Sequence, residues 1–324
     1  MSVVPREITF FHEQPSAAAE ELFRDGSVAE FLAQNGFGVA MGMIDLTATR
    51  ARIVRDLEAR GVPVTAWLLL DRRDGYWLNA DNAERAEHRW HETLAWAERE
   101  GLQLSRVGLD VEWPHRDGEA LMRRPLATVV RLVRTRRSAA TVATAERRYA
   151  QLVTAIRATG RRVESYQFPF IVDERRAATT LLRRVCGLLD LDVDREILML
   201  YATYLGNPVV GAYIEDAEGV GLGVTGGGVF AEDPREKRNL LTWTDLEAQM
   251  RCAQELGKPV YIFSLEGCVW AGMLPQLAGS SASEPTAAAA PRHPVGWTVR
   301  ATLRALLRCE ALVDALASGR TPER

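Results

Sequence analysis

Eight short runs of β-branched, aromatic and other apolar residues recur along the chain, each followed by a longer segment rich in alanine, leucine and arginine. Strands of this length that alternate with helical patterns are typical of parallel βαβ units. Eight units in 324 residues fit a closed (β/α)8 TIM barrel of the α/β class better than an open sheet. We predict a single barrel domain over residues 1–324, with strands at Ile8–His12, Val39–Ile44, Val64–Leu70, Arg106–Trp113, Val163–Phe168, Ile197–Tyr201, Val220–Val224 and Val260–Leu265.

The segments between these runs carry helical periodicity, as in Ala83–Arg99 and Leu240–Leu256, whose apolar residues recur on one side. An open nucleotide-binding sheet usually has a G-x-G-x-x-G turn after its first strand. The first run here leads into Glu13-Gln14-Pro15-Ser16, which contains no glycine. This also favours the barrel.

Two insertions interrupt the alternation. Residues 114–160 separate strands four and five and are long enough for two helices, so we predict a helical insertion there. Residues 279–294 are rich in serine, alanine, proline and glycine, which predicts a flexible loop after strand eight. The amphipathic segment 297–316 is then the expected last helix of the barrel.

Charge and cysteine content exclude several classes of protein. A net charge of −3 does not suit a nucleic-acid-binding chain, and no apolar run reaches the roughly 20 residues that span a bilayer. The amino terminus shows no basic region followed by an apolar stretch, and the four cysteines lie far apart. We therefore expect a cytoplasmic protein with reduced thiols and with no metal, no cofactor and no membrane span.

Polar residues follow most of the predicted strands. Active sites of such barrels lie at the carboxyl ends of the strands, where the βα loops gather. We therefore expect a site at this rim, built from a set that includes His12-Glu13, Asp45, Asp71, Asp110, Glu112, Gln167, Tyr201, Thr225 and Glu266.

Strand four carries the sharpest signal. Alternation places Val107, Leu109 and Val111 on one face, so Asp110 and Glu112 must point into the barrel near its mouth. Neighbouring carboxylates raise one another's pKa, which keeps one of them protonated for general acid catalysis near neutral pH.

The segment from Val107 to Pro114 resembles the strand-four motif of the family 18 glycoside hydrolases (the chitinase family), D-G-x-D-x-D-x-E-Y-P. The resemblance implies a carbohydrate as ligand, Glu112 as proton donor to the glycosidic oxygen, and Asp110 as the residue that orients the substrate's N-acetyl group. Met199-Leu200-Tyr201-Ala202 is similar to the family's M-x-Y-D, which implies that Tyr201 supports the intermediate. Trp270 loosely matches the family's strand-eight tryptophan.

The sequence departs from that pattern at three places: Ser105, Gly108 and Ala202 stand where the family has acids. This leaves open a catalytically silent barrel that binds carbohydrate.

Further residues are candidates for the reaction and for substrate binding. We expect Glu266 to face Glu112 across the mouth as a second catalytic acid. A gap of about 5 Å would indicate a retaining mechanism, and roughly 6.5–9.5 Å an inverting one. The candidate substrate-binding residues are Asp45, Asp71, Trp113, Gln167 and Trp270, with Trp113 able to stack on a sugar ring.

Two other features allow different interpretations. The glycines at 226–228, after strand seven, could cradle a phosphate, which would indicate a barrel enzyme for a phosphorylated sugar. The arginines between Arg123 and Arg137 have no acid among them, which predicts a solvated helix face or a surface for an anionic partner.

Overall fold

Eight parallel strands close into a barrel in the order in which they occur in the chain. The structure is a computed structural model, which describes residues 7–227, 240–280 and 294–317. Each strand pairs with the next, and β8 closes the barrel against β1 with Val260 opposite Ile8. The strands are β1 (Ile8–His12), β2 (Gly38–Gly42), β3 (Val64–Leu68), β4 (Arg106–Val111), β5 (Arg162–Gln167), β6 (Arg195–Met199), β7 (Gly219–Gly223) and β8 (Val260–Phe263).

The predicted (β/α)8 barrel is confirmed, because all eight predicted runs overlap an observed strand. The observed strands are mostly one or two residues shorter at their carboxyl ends than the predicted runs. The polar residues expected at strand ends therefore lie mostly in the connections that follow the strands.

Helices surround the barrel. Several begin at a side chain that accepts a backbone N–H three residues on, as Thr47, Ser138, Thr242 and Ser264 do. The helices are α1 (Ser16–Phe23), α2 (Ser27–Asn35), α3 (Ala48–Ala59), α4 (Ala83–Glu100), α5 (His115–Arg123), α6 (Pro125–Arg134), α7 (Ala139–Ala158), α8 (Ile171–Ala177), α9 (Leu181–Cys186), α10 (Ala202–Leu205), α11 (Asn207–Tyr213), α12 (Trp243–Glu255), α13 (Leu265–Trp270), α14 (Leu274–Ser280) and α15 (Pro294–Ala317). In the part of the chain described, no helix is both long and apolar enough to cross a membrane.

The barrel interior is aromatic, whereas the layer between strands and helices is aliphatic. The interior set includes Phe11, Trp67, Tyr166, Tyr261 and Phe263, and several of these rings meet edge to face. Because the rings fill the barrel, polar side chains of the interior can be exposed to solvent only at the two ends of the barrel.

The predicted helical insertion at 114–160 contains three helices rather than two. The third, α7, packs on β5 and α4 through a buried side that includes Tyr149 and Leu152, so it is the barrel's own helix. Only α5 and α6 are additional, and they form a helical pair between β4 and α7.

The segment 297–316, predicted as the last barrel helix, packs on other helices of the outer layer. This segment lies in α15, which packs against α8 and α11, whereas α13 contacts β1. Amphipathic spacing indicates that a helix buries one face but not which neighbour it buries it against. The predicted flexible loop at 279–294 lies mostly outside the described residues; Gly279 and Ser280 belong to α14, and Pro294 begins α15.

Candidate active site

The predicted alternation of β4 is confirmed. Val107, Leu109 and Val111 pack in the aliphatic layer with α4 and α7, while Asp110 is buried and contacts the aromatic interior. Glycine at 108 is required by the interior, since a Cβ there would lie 2.3 Å from the Tyr166 hydroxyl. The Tyr166 hydroxyl therefore fills the space beside a position where the resembled family has an acid.

Asp110 is a buried carboxyl group with one neutral donor. Trp67 Nε1 donates to its Oδ2 at 3.1 Å, and its Oδ1 has no hydrogen-bond partner within the described residues. Burial raises the pKa of Asp110 to about 8, and the Trp67 hydrogen bond opposes this only in part. Burial therefore favours the protonated form of Asp110.

Glu112 follows β4 and is partly exposed at the mouth. Its backbone N–H donates to the Leu78 carbonyl at 3.1 Å, which continues the pairing beyond the strand. Burial of the carboxyl group, and then the charges of Asp110 and Glu13, hold the pKa of Glu112 well above its usual value. Glu112 is therefore a partly exposed residue whose surroundings favour the protonated form of its carboxyl group, as a general acid requires.

Glu13 is a third acid of this cluster, although it was not among the predicted catalytic or substrate-binding residues. It is buried immediately after β1, and the Tyr76 hydroxyl donates to its Oε1 at 2.7 Å. Burial raises the pKa of Glu13 to about 8; the Tyr76 hydrogen bond and the charge of Arg72 oppose the shift, while Asp110 adds to it. The alternation that identified Asp110 would have found it, because Phe11 lies two residues earlier and is interior.

Tyr76, the donor to Glu13, has a backbone φ of 63°, which is uncommon for a residue other than glycine. Holding a large side chain in this left-handed region costs free energy that the surrounding packing must offset. Tyr76 is buried between Trp77 and His115, with ring centroids 5.4 and 6.0 Å away. The local structure thus fixes the donor that holds Glu13.

Tyr201 lies close to the acid cluster. It begins α10 just after β6, and its ring centroid is 5.8 Å from that of Phe263. Burial, followed by the charges of Asp110 and Glu112, keeps its pKa well above the usual value, so its hydroxyl remains a donor. The next tyrosine, Tyr204, is two-thirds exposed and also lies within range of the charges of Glu112 and Glu13. Sequence reasoning did not identify Tyr204.

A buried acid at the opposite end of the barrel shows what a structural carboxylate looks like here. Glu164 accepts from the Tyr261 hydroxyl at 2.8 Å and from Arg106 at 3.4 Å. Arg106 and Arg195 in turn pair with Glu7 at 2.9 and 2.6 Å. Asp110 and Glu13 instead receive hydrogen bonds from the neutral donors Trp67 and Tyr76, although burial raises the pKa of all three acids.

Glu266, predicted to face Glu112, lies elsewhere. It is buried at the start of α13, where its Oε2 is hydrogen-bonded to His12 Nδ1 at 3.0 Å. Its Oε1 accepts the backbone N–H of Glu13 at 3.4 Å. His12 points outward from the barrel against Phe23 of α1, so Glu266 lies behind β1 and supports Glu13 from there. The strand ends at Phe263, which is why extrapolating its alternation to residue 266 failed.

Asp45 and Asp71 have local partners. Asp45 accepts from the Ser16 backbone N–H at 2.9 Å and pairs with Arg50 at 3.0 Å; these bonds outweigh its burial and lower its pKa. Asp71 is exposed and pairs with Arg73 at 3.1 Å. Neither contacts the acid cluster in the structure.

Gln167 and Trp270 are not brought to the mouth either. Gln167 pairs with Val111 in the sheet and donates to the Leu189 carbonyl at 3.0 Å, so it points into the aliphatic layer. Trp270 is exposed at the end of α13.

Trp113 does lie at the rim. Its ring centroid is 4.6 Å from that of Phe168. The Phe168 ring stacks in turn on the Phe170 ring, with 5.2 Å between the centroids. Because Trp113 directly follows Glu112, this aromatic row borders the acid cluster.

The glycines after strand seven serve packing in the part of the chain that is described. Ser264 Oγ donates to the Gly226 carbonyl at 2.7 Å, and a Cβ on Gly227 would lie 2.7 Å from Glu266 Oε1. A carboxylate beside the loop repels phosphate, which argues against the phosphate cradle. Gly228 lies outside the described residues. Across 7–227, 240–280 and 294–317, no three histidine, cysteine, aspartate or glutamate side chains are arranged to bind a metal.

Comparisons with known proteins give similar barrels of low sequence identity. No protein-family model and no curated protein matches the sequence. The chain is similar to the glycoside hydrolase domain of PgaB (BpsB) from Bordetella bronchiseptica, with 11% identity and a TM-score of 0.48 over 87% of this chain and 99% of that one. It is also similar to D-allulose 3-epimerase from Methylomonas sp., with 11% identity and a TM-score of 0.46 over 86% of this chain and 96% of that one. A third similar structure is a GH18 chitinase from Pseudoalteromonas aurantia, with 8% identity and a TM-score of 0.45 over 85% of this chain and 99% of that one.

Proposed function

We propose that this chain is a glycoside hydrolase that acts on an oligosaccharide, with Glu112 as the general acid. The observation that carries the proposal is the elevated pKa of Glu112 beside the buried Asp110 at the barrel mouth. A carboxyl group at the mouth whose surroundings favour its protonated form can protonate a departing glycosidic oxygen.

Asp110 and Tyr201 support the reacting centre in this proposal. The Oδ1 of Asp110 has no partner in the described residues, so it is available for a hydrogen bond with a polar group of the substrate. The protonated Tyr201 hydroxyl can donate a hydrogen bond to charge that develops on the substrate.

Glu13 is a better second carboxylate than Glu266. The charge of Glu13 is among those that raise the pKa of Glu112, whereas both oxygens of Glu266 are engaged by His12 and the Glu13 backbone. We therefore assign Glu266 a positioning role for Glu13. Glycoside hydrolysis usually requires two carboxyl groups that flank the scissile bond, one protonated and one ionised. Glu13 fills the second role in the fraction of the protein in which it is ionised, and this fraction grows as the pH approaches 8.

Aromatic rings bordering these acids suit a sugar ligand. Trp113 and the exposed Tyr204 offer ring faces at the mouth, where the apolar face of a pyranose could stack. Asp45, Asp71, Gln167 and Trp270 have no part in this assignment, because their contacts lie elsewhere.

The test is hydrolysis of a panel of glycosides by the wild type, by Glu112→Gln and by the control Glu84→Gln, whose side chain is 86% exposed on α4. We expect turnover of at least one glycoside by the wild type and the control, and a loss of about 10²-fold or more in Glu112→Gln. Undiminished activity in Glu112→Gln would overturn the assignment. Glycan binding without turnover by the wild type would instead identify a catalytically silent carbohydrate-binding barrel.

A further inference from the structure

The outer face of α6 exposes an apolar stripe. Leu126 is 83% exposed and Val130 57%, which is unusual for large aliphatic side chains on one helix face. The stripe occupies the i, i+3, i+4 and i+7 positions and consists of Leu126, Val129, Val130 and Val133.

The helix that carries this stripe is held firmly on its other side. Thr128 and Leu132 are buried, and Thr128 Oγ1 donates to the Ala120 carbonyl of α5 at 3.0 Å. Arg131 pairs with Asp117 of α5 at 2.8 Å. The stripe is therefore the outer face of a packed helix. These contacts prevent α6 from rotating to bury the stripe.

Arginines surround the stripe and no acid lies among them. The sequence has no aspartate or glutamate between Glu119 and Glu146. Arg134 follows Val130 by four positions on α6 and extends the same helix face, and Arg123 is the last residue of the adjoining α5. Within the described residues, four arginines of this segment form no ion pair: Arg123, Arg124, Arg134 and Arg136.

A cleft of about 450 Å³ between α5 and α6 extends the positive charge. Its lining includes Arg116, Arg123, Arg124 and Arg131, with Glu119 as the acid among them. The positive region thus continues from the stripe onto the adjoining helix.

This combination of apolar and cationic groups selects among the possible occupants. A second copy of the chain would bring arginines against arginines, and a nucleic acid offers nothing for four exposed aliphatic side chains to bury against. The surface of an anionic bilayer accommodates both, since the aliphatic groups enter the interface and the guanidinium groups meet lipid phosphates. We propose that α6 docks this protein on an anionic lipid surface.

Docking at α6 would also orient the barrel. Helices α5 and α6 form the connection after β4, so they lie at the rim formed by the carboxyl ends of the strands. A lipid surface at α6 would therefore lie next to the mouth that contains Glu112. The inference stands apart from the proposed activity, because lipid binding can be measured without any substrate.

The experiment is co-sedimentation of the full chain with vesicles of phosphatidylcholine alone or with about 30% phosphatidylglycerol. We expect binding only to the anionic vesicles, weakened by high salt. Leu126→Asp/Val130→Asp should weaken it at least about tenfold, and Arg123→Gln/Arg134→Gln about 30-fold. The control Val299→Asp, at a half-exposed valine of α15, should bind like the wild type. All substituted positions are solvent-exposed, so unchanged thermal unfolding verifies the fold of each variant.

Four results would overturn the proposal. The first is absence of wild-type binding to anionic vesicles, and the second is equal binding by the stripe variant. The third is binding of duplex DNA that depends on the arginines but not on the stripe, which would assign the surface to nucleic acid. A dimer that the stripe substitutions dissociate, with no vesicle binding, would assign it to a second copy of the chain.

Discussion

At the scale of single residues, buried acids in this barrel divide by the donors they receive. Glu164 at the base bonds to an arginine and a tyrosine, as a structural carboxylate does. Asp110 and Glu13 at the mouth bond to Trp67 and Tyr76, and Asp110 keeps one oxygen without a partner in the described structure. Burial raises the pKa of all three acids, and the buried Oε2 of Glu164 also lacks a partner in the described residues. The two ends therefore differ in the donors that the acids receive, a cationic arginine at the base and neutral side chains at the mouth.

The pKa of Asp110 has a consequence for stability. Since the folded chain keeps this proton up to about pH 8 and the unfolded chain loses it near pH 4, Asp110 makes stability fall as pH rises between those values. The free energy of unfolding of the wild type should fall between about pH 5 and about pH 8. In Asp110→Asn this fall should be smaller by at least about 1 kcal/mol. Urea unfolding at both pH values measures it.

Asp192→Asn is the control for that comparison, because the Asp192 side chain is 97% exposed. It should leave the pH dependence of the wild type unchanged. Identical slopes for Asp110→Asn and the wild type would mean that Asp110 is ionised in the folded protein, contrary to the argument above.

Part of the candidate site could be predicted from the sequence. Alternation along β4 predicted inward-facing Asp110 correctly, because a strand with a fixed period leaves no choice of face. The same logic failed for Glu266, where the chain had already entered a helix. Tyr204 and Tyr76 could not be placed from sequence, because the conformations of the connections after β6 and β3, which include the short helix α10, bring them to the site.

At the scale of elements, the sequence predicted the strands but not the contacts between helices. Each strand is a buried run bounded by turn residues, and closure in chain order follows from short βα connections. Charged contacts hold α15 in place, and Arg300 makes the most buried of them. Its Nε donates to the buried Asp173 of α8 at 2.9 Å, and its guanidinium lies 4.1 Å above the Tyr213 ring. No periodicity encodes such a pairing.

Removing that contact should loosen α15. In Arg300→Ala the buried Asp173 retains Tyr213 and Arg304 but loses its most buried cation, so we expect a destabilisation of about 3 kcal/mol. Arg308→Ala, at an exposed position of the same helix, should stay within about 0.5 kcal/mol of the wild type. Denaturant unfolding measures both, and equal stability of the two variants would contradict this account of how α15 is held.

The contact between β4 and β5 sets a second element-scale prediction. Gly108→Ala would place a Cβ 2.3 Å from the Tyr166 hydroxyl and 2.6 Å from its ring, so the tyrosine must move. We expect a loss of about 2 kcal/mol or more in the free energy of unfolding. Gly279→Ala is the matched control, because a Cβ there meets nothing within 4 Å and alanine favours the helix. A Gly108→Ala variant as stable as the control would show that the interior is not packed as described.

At the scale of the whole molecule, the two ends of the barrel differ. The base is closed by ion pairs among Glu7, Arg106 and Arg195, whereas the mouth gathers acids with elevated pKa values beside exposed aromatic rings. The arginine-rich α6 borders that mouth, so the net charge of −3 averages over an acidic mouth and a basic flank. The eight-unit pattern predicted the barrel, but this polarity required the positions of the side chains.

The most direct test of the central claim is the dependence of hydrolysis on the leaving group in Glu112→Gln. A general acid matters when the departing oxygen is basic and hardly at all when it is a good leaving group. We predict that Glu112→Gln loses about 10²- to 10⁴-fold in kcat/KM on a methoxyphenyl glycoside, yet keeps most of its activity on the dinitrophenyl glycoside of the same sugar. Equal losses on the two substrates would contradict the role of Glu112 as the proton donor.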